Sequence, residues 1–286
     1  VDGYEPDKLH SGAFILYRNI TKTEGISDLY RKVSRTTNGL KEEWVSTDEF
    51  NQVFNSLIFT VKTDLFIPAG GRPETIDSSN IESYFDTEGN PASNIIVEGA
   101  NSFITPAARK ALQRKGVIIM RDASANKCGV ISSSYEIIAN LMFSDEEFLA
   151  NKDEYVADVI DILNQMAETE ARSIIRRHEK SGGSLTYTDI SSLLSKEINE
   201  HYARMFDYFQ DNPEQINLST HQQAILKHMP AMIQNSEKYR ERINQLPDKV
   251  KYAILASKLA SSMVYSDDGQ NLYSDIINAQ LKRVIN

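Results

Sequence analysis

Three short apolar runs, Leu65-Phe66-Ile67, Ile95-Ile96-Val97 and Val117-Ile118-Ile119-Met120, recur along the chain with helix signals between them. Runs this short suit strands, and apolar residues at every position suit strands covered on both faces. Pro68-Ala69-Gly70-Gly71 breaks the first run, and Ser79 with Glu82 predicts a short capped helix bearing Ile81, Tyr84 and Phe85. After the second run, Thr105 is a good N-cap with Pro106 at the first helical position, and Gly116 stands where a left-handed residue ends a helix. Strands alternating with capped helices predict a parallel sheet with right-handed crossovers. In such sheets ligands sit beyond the carboxyl ends of the strands. Residues 68–73, 98–103 and 121–133 are therefore expected to converge, with 121–129 read as the loop after the third strand.

The flanking sequence reads differently. Phe14 to Tyr17 suit a short strand, while Ile26, Leu29, Tyr30 and Val33 have helical spacing. Ser46 with Glu49 makes a capping box ahead of the apolar face Phe50, Val53, Phe54, Leu57 and Ile58. Beyond residue 132 the strand signals stop. Ser133 with Glu136 predicts a helix through Leu141, and Ser144 with Glu147 opens the next. Val156, Val159, Ile160, Leu163, Met166, Ala167 and Ile174 form a long stripe closed by Ser181-Gly182-Gly183, with further helices expected near 188–209, 219–234, 248–264 and 271–284. The fold class is α/β: a partial parallel sheet followed by an all-helical carboxyl-terminal region.

Composition and missing motifs exclude several functions. A net charge of -9 and a pI near 5.2 argue against general nucleic-acid binding. Cys128 is the only cysteine, so no intrachain disulfide can form and a reducing compartment is expected. No apolar run suits a membrane span, and the first residues lack a signal-peptide pattern. Histidine and cysteine spacings give no zinc site, and no Gly-x-Ser-x-Gly elbow occurs. Nor are any two glycines spaced as the Gly-x-Gly that lets a backbone approach a pyrophosphate. Whatever chemistry the chain serves, it supplies part of a site.

The stretches DLFIPAGGRPETID (64–77), IIVEGANSFITPAA (95–108) and IIMRDASANKCGVISSSYE (118–136) resemble glutamate dehydrogenases, most closely the large NAD-specific type. The helical stretches EFLANKDEYVADV, EINEHYARMFDYF and LPDKVKYAILASKLASSMVY are similar to that type too, so the resemblance runs from about residue 10 onward. It implies the rear of an NAD-binding, Rossmann-like domain at 1–132 and a helical region at 133–286. It also implies a cytoplasmic homo-oligomer (mitochondrial matrix in a eukaryote) acting on L-glutamate and 2-oxoglutarate with NAD. The family's glycine fingerprint, catalytic lysine and catalytic aspartate have no counterpart here and are expected upstream of Val1. The chain by itself is therefore expected to be inactive, with no catalytic residue of its own and neither Lys62 nor Lys127 as a substitute.

Carried over by position, the resemblance implies that Ala69, Gly70 and Gly71 line the cofactor with main chain, where small residues permit close approach. A strand-ending turn explains the same residues in isolation. Asn101 matches the asparagine that bonds the nicotinamide carboxamide, for which an amide supplies donor and acceptor; a local turn is the commoner role of a loop asparagine. Glu98 is read as a site-lining or structural carboxylate. Asn126, Gly129, Val130 and Ser133 match the substrate-facing segment, with the valine on the carbon chain and the serine hydroxyl on the side-chain carboxylate. Ser133 also falls at an expected helix start, where free N–H groups favour an anion and where capping alone would explain a serine. A non-catalytic α/β module that binds a nucleotide or amino acid and regulates a partner is the alternative reading.

Overall fold

The computed structural model describes residues 7, 9–10, 14–18, 29–70 and 72–265. They fall into two compact units, Val1–Thr63 with Asn80–Ala92, and Asp64–Ser79 with Ser93–Asn286.

In the first unit β1 (Phe14–Arg18), β2 (Leu29–Thr36) and β3 (Gly39–Ser46) form an antiparallel sheet in that order. The strand at Phe14 is as expected. The helical reading of Leu29, Tyr30 and Val33 is not, and Ile26 lies outside the described residues. The turn decides between the two: Thr36 pairs with Gly39 across a two-residue loop, and Gly39 takes φ 112°, which favours glycine. Asn38-Gly39 is a hairpin signal that the apolar spacing concealed. Val33 and Val45 are buried, while Arg31–Glu42 and Lys32–Glu43 pair across the strands.

Ser46 then caps α1 (Thr47–Thr60), its Oγ accepting from the Glu49 N–H at 3.2 Å. A 3-10 turn, Ile81–Tyr84, follows later with Asn80, not Ser79, at its N-cap position. Ser79 instead donates from both N–H and hydroxyl to Asp77.

In the second unit β4 (Thr63–Phe66), β5 (Ser93–Val97) and β6 (Ile118–Met120) form a parallel sheet in that order. Ile95 pairs with Ile118 and Ile96 with Ile119. Ile96 and Ile119 are fully buried, with Leu112 and Ala108 of α2 (Pro106–Arg114) also buried. Burial of this kind contributes about 1.5–3 kcal/mol for each large side chain. The expected cover on both faces is absent: Ile95 and Ile118 are exposed, as are Leu65 and Ile67 of the edge strand and the residue after it. The caps of α2 are as expected, with Thr105 accepting from the Ala108 N–H and Gly116 at φ 92°.

Residues 121–129, expected as loop, are helical. Arg121 precedes α3 (Asp122–Ala125), Asn126 breaks the helix at φ -113° and ψ 9°, and α4 (Lys127–Met142) starts at once. Ser133 therefore lies inside α4 and caps nothing; its hydroxyl donates to the Gly129 carbonyl one turn back at 3.4 Å. The Ser144–Glu147 capping box does form and opens α5 (Asp145–Lys180). A second box, Thr186–Asp189, opens α6 (Tyr187–Asp211). The helix expected at 219–234 is split by Pro230 into α7 (Ser219–Leu226) and α8 (Ala231–Asn235), followed by α9 (Glu237–Ile243) and α10 (Asp248–Tyr265). The helix expected at 271–284 lies outside the described residues. Tyr135, Met205, Phe209, Ile225, Ile233 and Leu255 sit in the main helical core.

Candidate functional site

The three sheet-edge segments meet. Ala100, after β5, donates its N–H to the Pro68 carbonyl, after β4, at 2.6 Å. A Cβ placed on Gly99 would stand 3.2 Å from that same carbonyl oxygen, tighter than an ordinary contact, so the close approach of the two segments favours glycine. After β6, Asn126 donates its side-chain amide to the Asn101 Oδ1, and the Gly99 carbonyl lies 3.5 Å from the same nitrogen. An asparagine in the turn after β5 and one at the helix break after β6 are thereby joined at the carboxyl edge of adjacent parallel strands.

Asp122 makes a second link that the sequence reading passed over. Its Oδ2 accepts the Ser102 N–H at 2.9 Å, and its Oδ1 accepts the Ala123 N–H at 2.8 Å. Ser102 has φ 53°, an uncommon conformation for a residue with a side chain, and this bond helps to hold it there. Burial pushes the Asp122 carboxyl up, but the two N–H donors, with Arg121 and Arg109 nearby, leave it below its ordinary value. The available signal was an acidic residue directly after a strand at a helix start.

Glu98 does not line the site. It is fully buried and carries the Arg109 guanidinium on both oxygens, at 2.8 and 3.0 Å, while Oε1 also accepts the Ile104 N–H. Its role is structural: it holds the turn between β5 and α2 on which Asn101 sits.

Ala69 and Gly70 are exposed in the loop after β4, and a Cβ on Gly70 would meet nothing within 4 Å. Gly71 lies outside the described residues. Asn101 is exposed and Asn126 half-buried. Gly129, Val130 and Ser133 lie exposed on the first two turns of α4, Val130 at 77%. Along this edge lie an exposed amide, main chain beside small residues, an apolar side chain and a hydroxyl, with the Asp122 carboxylate bonded to main chain beside them. Both nearby-sequence lysines are engaged elsewhere: Lys62 pairs with Asp86 and Lys127 with Glu170.

A parallel sheet with two hydrogen-bonded asparagines beyond its carboxyl edge is the architecture of an α/β protein. Residues 11–183 match the family described as glutamate/leucine/phenylalanine/valine dehydrogenase, and the chain belongs to that family. It is 34% identical over 224 residues to a probable NAD-specific glutamate dehydrogenase of Schizosaccharomyces pombe, covering 74% of this chain and 20% of that protein. It is 35% identical over 213 residues to glutamate dehydrogenase 2 of Dictyostelium discoideum, covering 71% of this chain and 20% of that one. An NAD-specific glutamate dehydrogenase of Neurospora crassa is 31% identical over 237 residues, covering 78% and 22%. The chain thus spans about a fifth of the length of these relatives. No solved structure matches it.

Proposed function

We propose that this chain is part of an NAD-specific glutamate dehydrogenase, in which it supplies the loops facing the nicotinamide and the amino-acid substrate. The observation that carries the reading is the Asn126–Asn101 side-chain hydrogen bond, which joins the helix break after β6 to the turn after β5 in a chain of this family. The residues fit the cofactor's demands: the Asn101 amide is exposed, and the open space at Gly70 leaves main chain accessible. On this reading Ala69, Gly70 and Gly71 border the cofactor and Asn101 holds its carboxamide. Asn126, Gly129 and Val130 face the substrate carbon chain, and the Ser133 hydroxyl bonds its side-chain carboxylate. NAD, when bound, accepts the hydride that turns L-glutamate toward 2-oxoglutarate and ammonia. The chain's residues orient the two reactants, and the proton-transfer groups belong to the remainder of the enzyme.

Residues 1–132 are read as the rear of a Rossmann-like domain and 133–286 as a helical region serving a homo-oligomer, in the cytoplasm or, in a eukaryote, the mitochondrial matrix. Among the described residues no helix is long and apolar enough to cross a membrane. The test is glutamate-dependent NADH formation. The full-length protein is expected to show it and the chain alone is not. Turnover by the chain alone would refute the division of labour, and a full-length protein inert toward glutamate and NAD would refute the activity. Tight binding of NAD or glutamate to the isolated chain by calorimetry would favour the regulatory module instead.

A further inference from the structure

Lys127, the first residue of α4, is tied to the long helix α5. Its Nζ donates to Glu170 Oε2 at 2.6 Å, and the Tyr265 hydroxyl at the end of α10 donates to the same oxygen at 2.7 Å. Burial beside this carboxylate pushes the Tyr265 phenol well up, so it remains a proton donor. Glu170 is only 4% exposed, and its Oε1 and the Ser173 hydroxyl one turn on are buried without a partner among the described residues. Next to Lys127, the Cys128 sulfur lies 3.7 Å from the Leu163 carbonyl. Two bonds hold α3 and the residue before it against α6 as well, Arg121 to Ser192 at 2.8 Å and Ser124 to Ser191 at 2.5 Å.

Stability alone is a poor reason for this node. Glu170 is buried and Lys127 half-buried, and an ion pair with a buried, half-satisfied carboxylate seldom improves on apolar side chains of similar size; what such a pair supplies best is register. Register matters at this point because Lys127 follows Asn126, the residue at the helix break whose amide reaches Asn101. Hydrogen bonds weaken steeply with misalignment, and small displacements of a substrate-facing edge cost orientation.

We propose that Glu170 is a positioning residue: acting through Lys127, its buried carboxylate holds Asn126 against Asn101 and so sets the edge that faces nicotinamide and substrate. The inference rests on the function proposed above and gives the helical region a part in it. The helices register the binding loops from behind, and Tyr265 extends the link to the last described helix.

The experiment is a coupling cycle in the full-length enzyme, whose own NAD reduction with glutamate is established first, so that failure of the function and failure of this inference are told apart. Lys127→Met/Glu170→Met replaces the ion pair by apolar side chains of similar length. With Tyr265→Phe as the common background, so that no hydroxyl is left without the Glu170 oxygen it donates to, the thermal midpoint is expected to stay close to that of the background enzyme. The glutamate KM should rise about fivefold or more with kcat within about threefold. In an Asn126→Ala background the same double substitution should leave KM nearly unmoved, because the link it breaks is already lost. Arg242→Gln, which breaks the ion pair with Glu147 at the other end of α5, serves as the structural control and should lower the midpoint without this KM pattern. If the double variant does not fold, Lys127→Met alone, which breaks the link to Glu170 and keeps the Tyr265 bond, is read the same way. An unchanged KM, a loss confined to kcat, or an equal KM rise in the Asn126→Ala background would each overturn the proposal.

Discussion

Glu98 and Arg109 form a buried two-pronged ion pair that closes the turn between β5 and α2, with the guanidinium also donating to the Ile104 carbonyl at 2.9 Å. Both carboxylate oxygens accept from the guanidinium, and Glu98 is fully buried, so the charge on each side is matched chiefly by the other. Arg109→Met therefore strands a buried charge and is expected to destabilise by about 3–5 kcal/mol. The double variant Glu98→Met/Arg109→Met should recover most of that loss. Unfolding midpoints in urea for the three proteins decide it. A double variant as unstable as Arg109→Met, or more so, would mean that the pair is not the unit that matters.

The helical core carries its own pH dependence. His228 stacks on Tyr135 with ring centroids 5.1 Å apart, and burial, with the Lys258 charge beside it, pushes its pKa down to about 3. A histidine lowered in the folded state is neutral there while the unfolded chain takes up a proton. Its contribution is thus complete above the ordinary value of 6.5 and is lost as pH falls from 6.5 toward 3. His221 is lowered too, mainly by burial, and contributes in the same direction. His228→Gln is expected to flatten the fall in stability between pH 6.5 and 4 without abolishing it. Thermal midpoints across that range that run parallel in the two proteins would contradict the assignment.

Two glycines at the strand ends separate packing from ligand contact. At Gly99 an added methyl meets the Pro68 carbonyl oxygen at 3.2 Å, and both atoms belong to backbone that is already hydrogen-bonded at Ala100. Gly99→Ala is expected to lower the thermal midpoint of the full-length enzyme and raise the KM for NAD together. At Gly70 nothing lies within 4 Å, so Gly70→Ala should leave the midpoint where it is. If main chain borders the cofactor there, the methyl still raises the KM for NAD several-fold. No change in that KM would remove Gly70 from the site.

What the sequence disclosed is what local chemistry encodes. Ser46, Thr105 and Ser144 cap helices as their spacing predicts, and Gly116 ends α2 in the conformation that glycine favours. The strand runs and the convergence of their carboxyl ends follow from the same local signals. Long-range pairing was not legible. Glu98–Arg109 and Lys127–Glu170 are separated by 11 and 43 residues, and no periodicity links such partners. Where two local signals compete, spacing misled: Leu29, Tyr30 and Val33 fit a helix until Asn38-Gly39 turns them into a hairpin. Gly129 read as a loop residue, yet it sits in the first turn of α4, where a glycine costs little, and its exposure leaves room for it. Ser133 was misplaced for the same reason, since a Ser-x-x-Glu pattern inside a helix looks identical to one at its start.

That misplacement makes Ser133 the cleanest test of the substrate edge. As an N-cap, Ser133 would lose about 1 kcal/mol of stability on replacement by alanine. As an exposed residue inside α4 that back-bonds to Gly129, it has no cap to lose, and alanine is the better helix former. Ser133→Ala in the full-length enzyme is therefore expected to hold or slightly raise the thermal midpoint. If the hydroxyl bonds the substrate carboxylate, its removal costs about 1.5–3 kcal/mol of binding, which is roughly a tenfold to hundredfold rise in glutamate KM. The two readouts move independently, so a stable variant with an unchanged KM would leave Val130 and Asn126 to hold the substrate and would withdraw Ser133 from it.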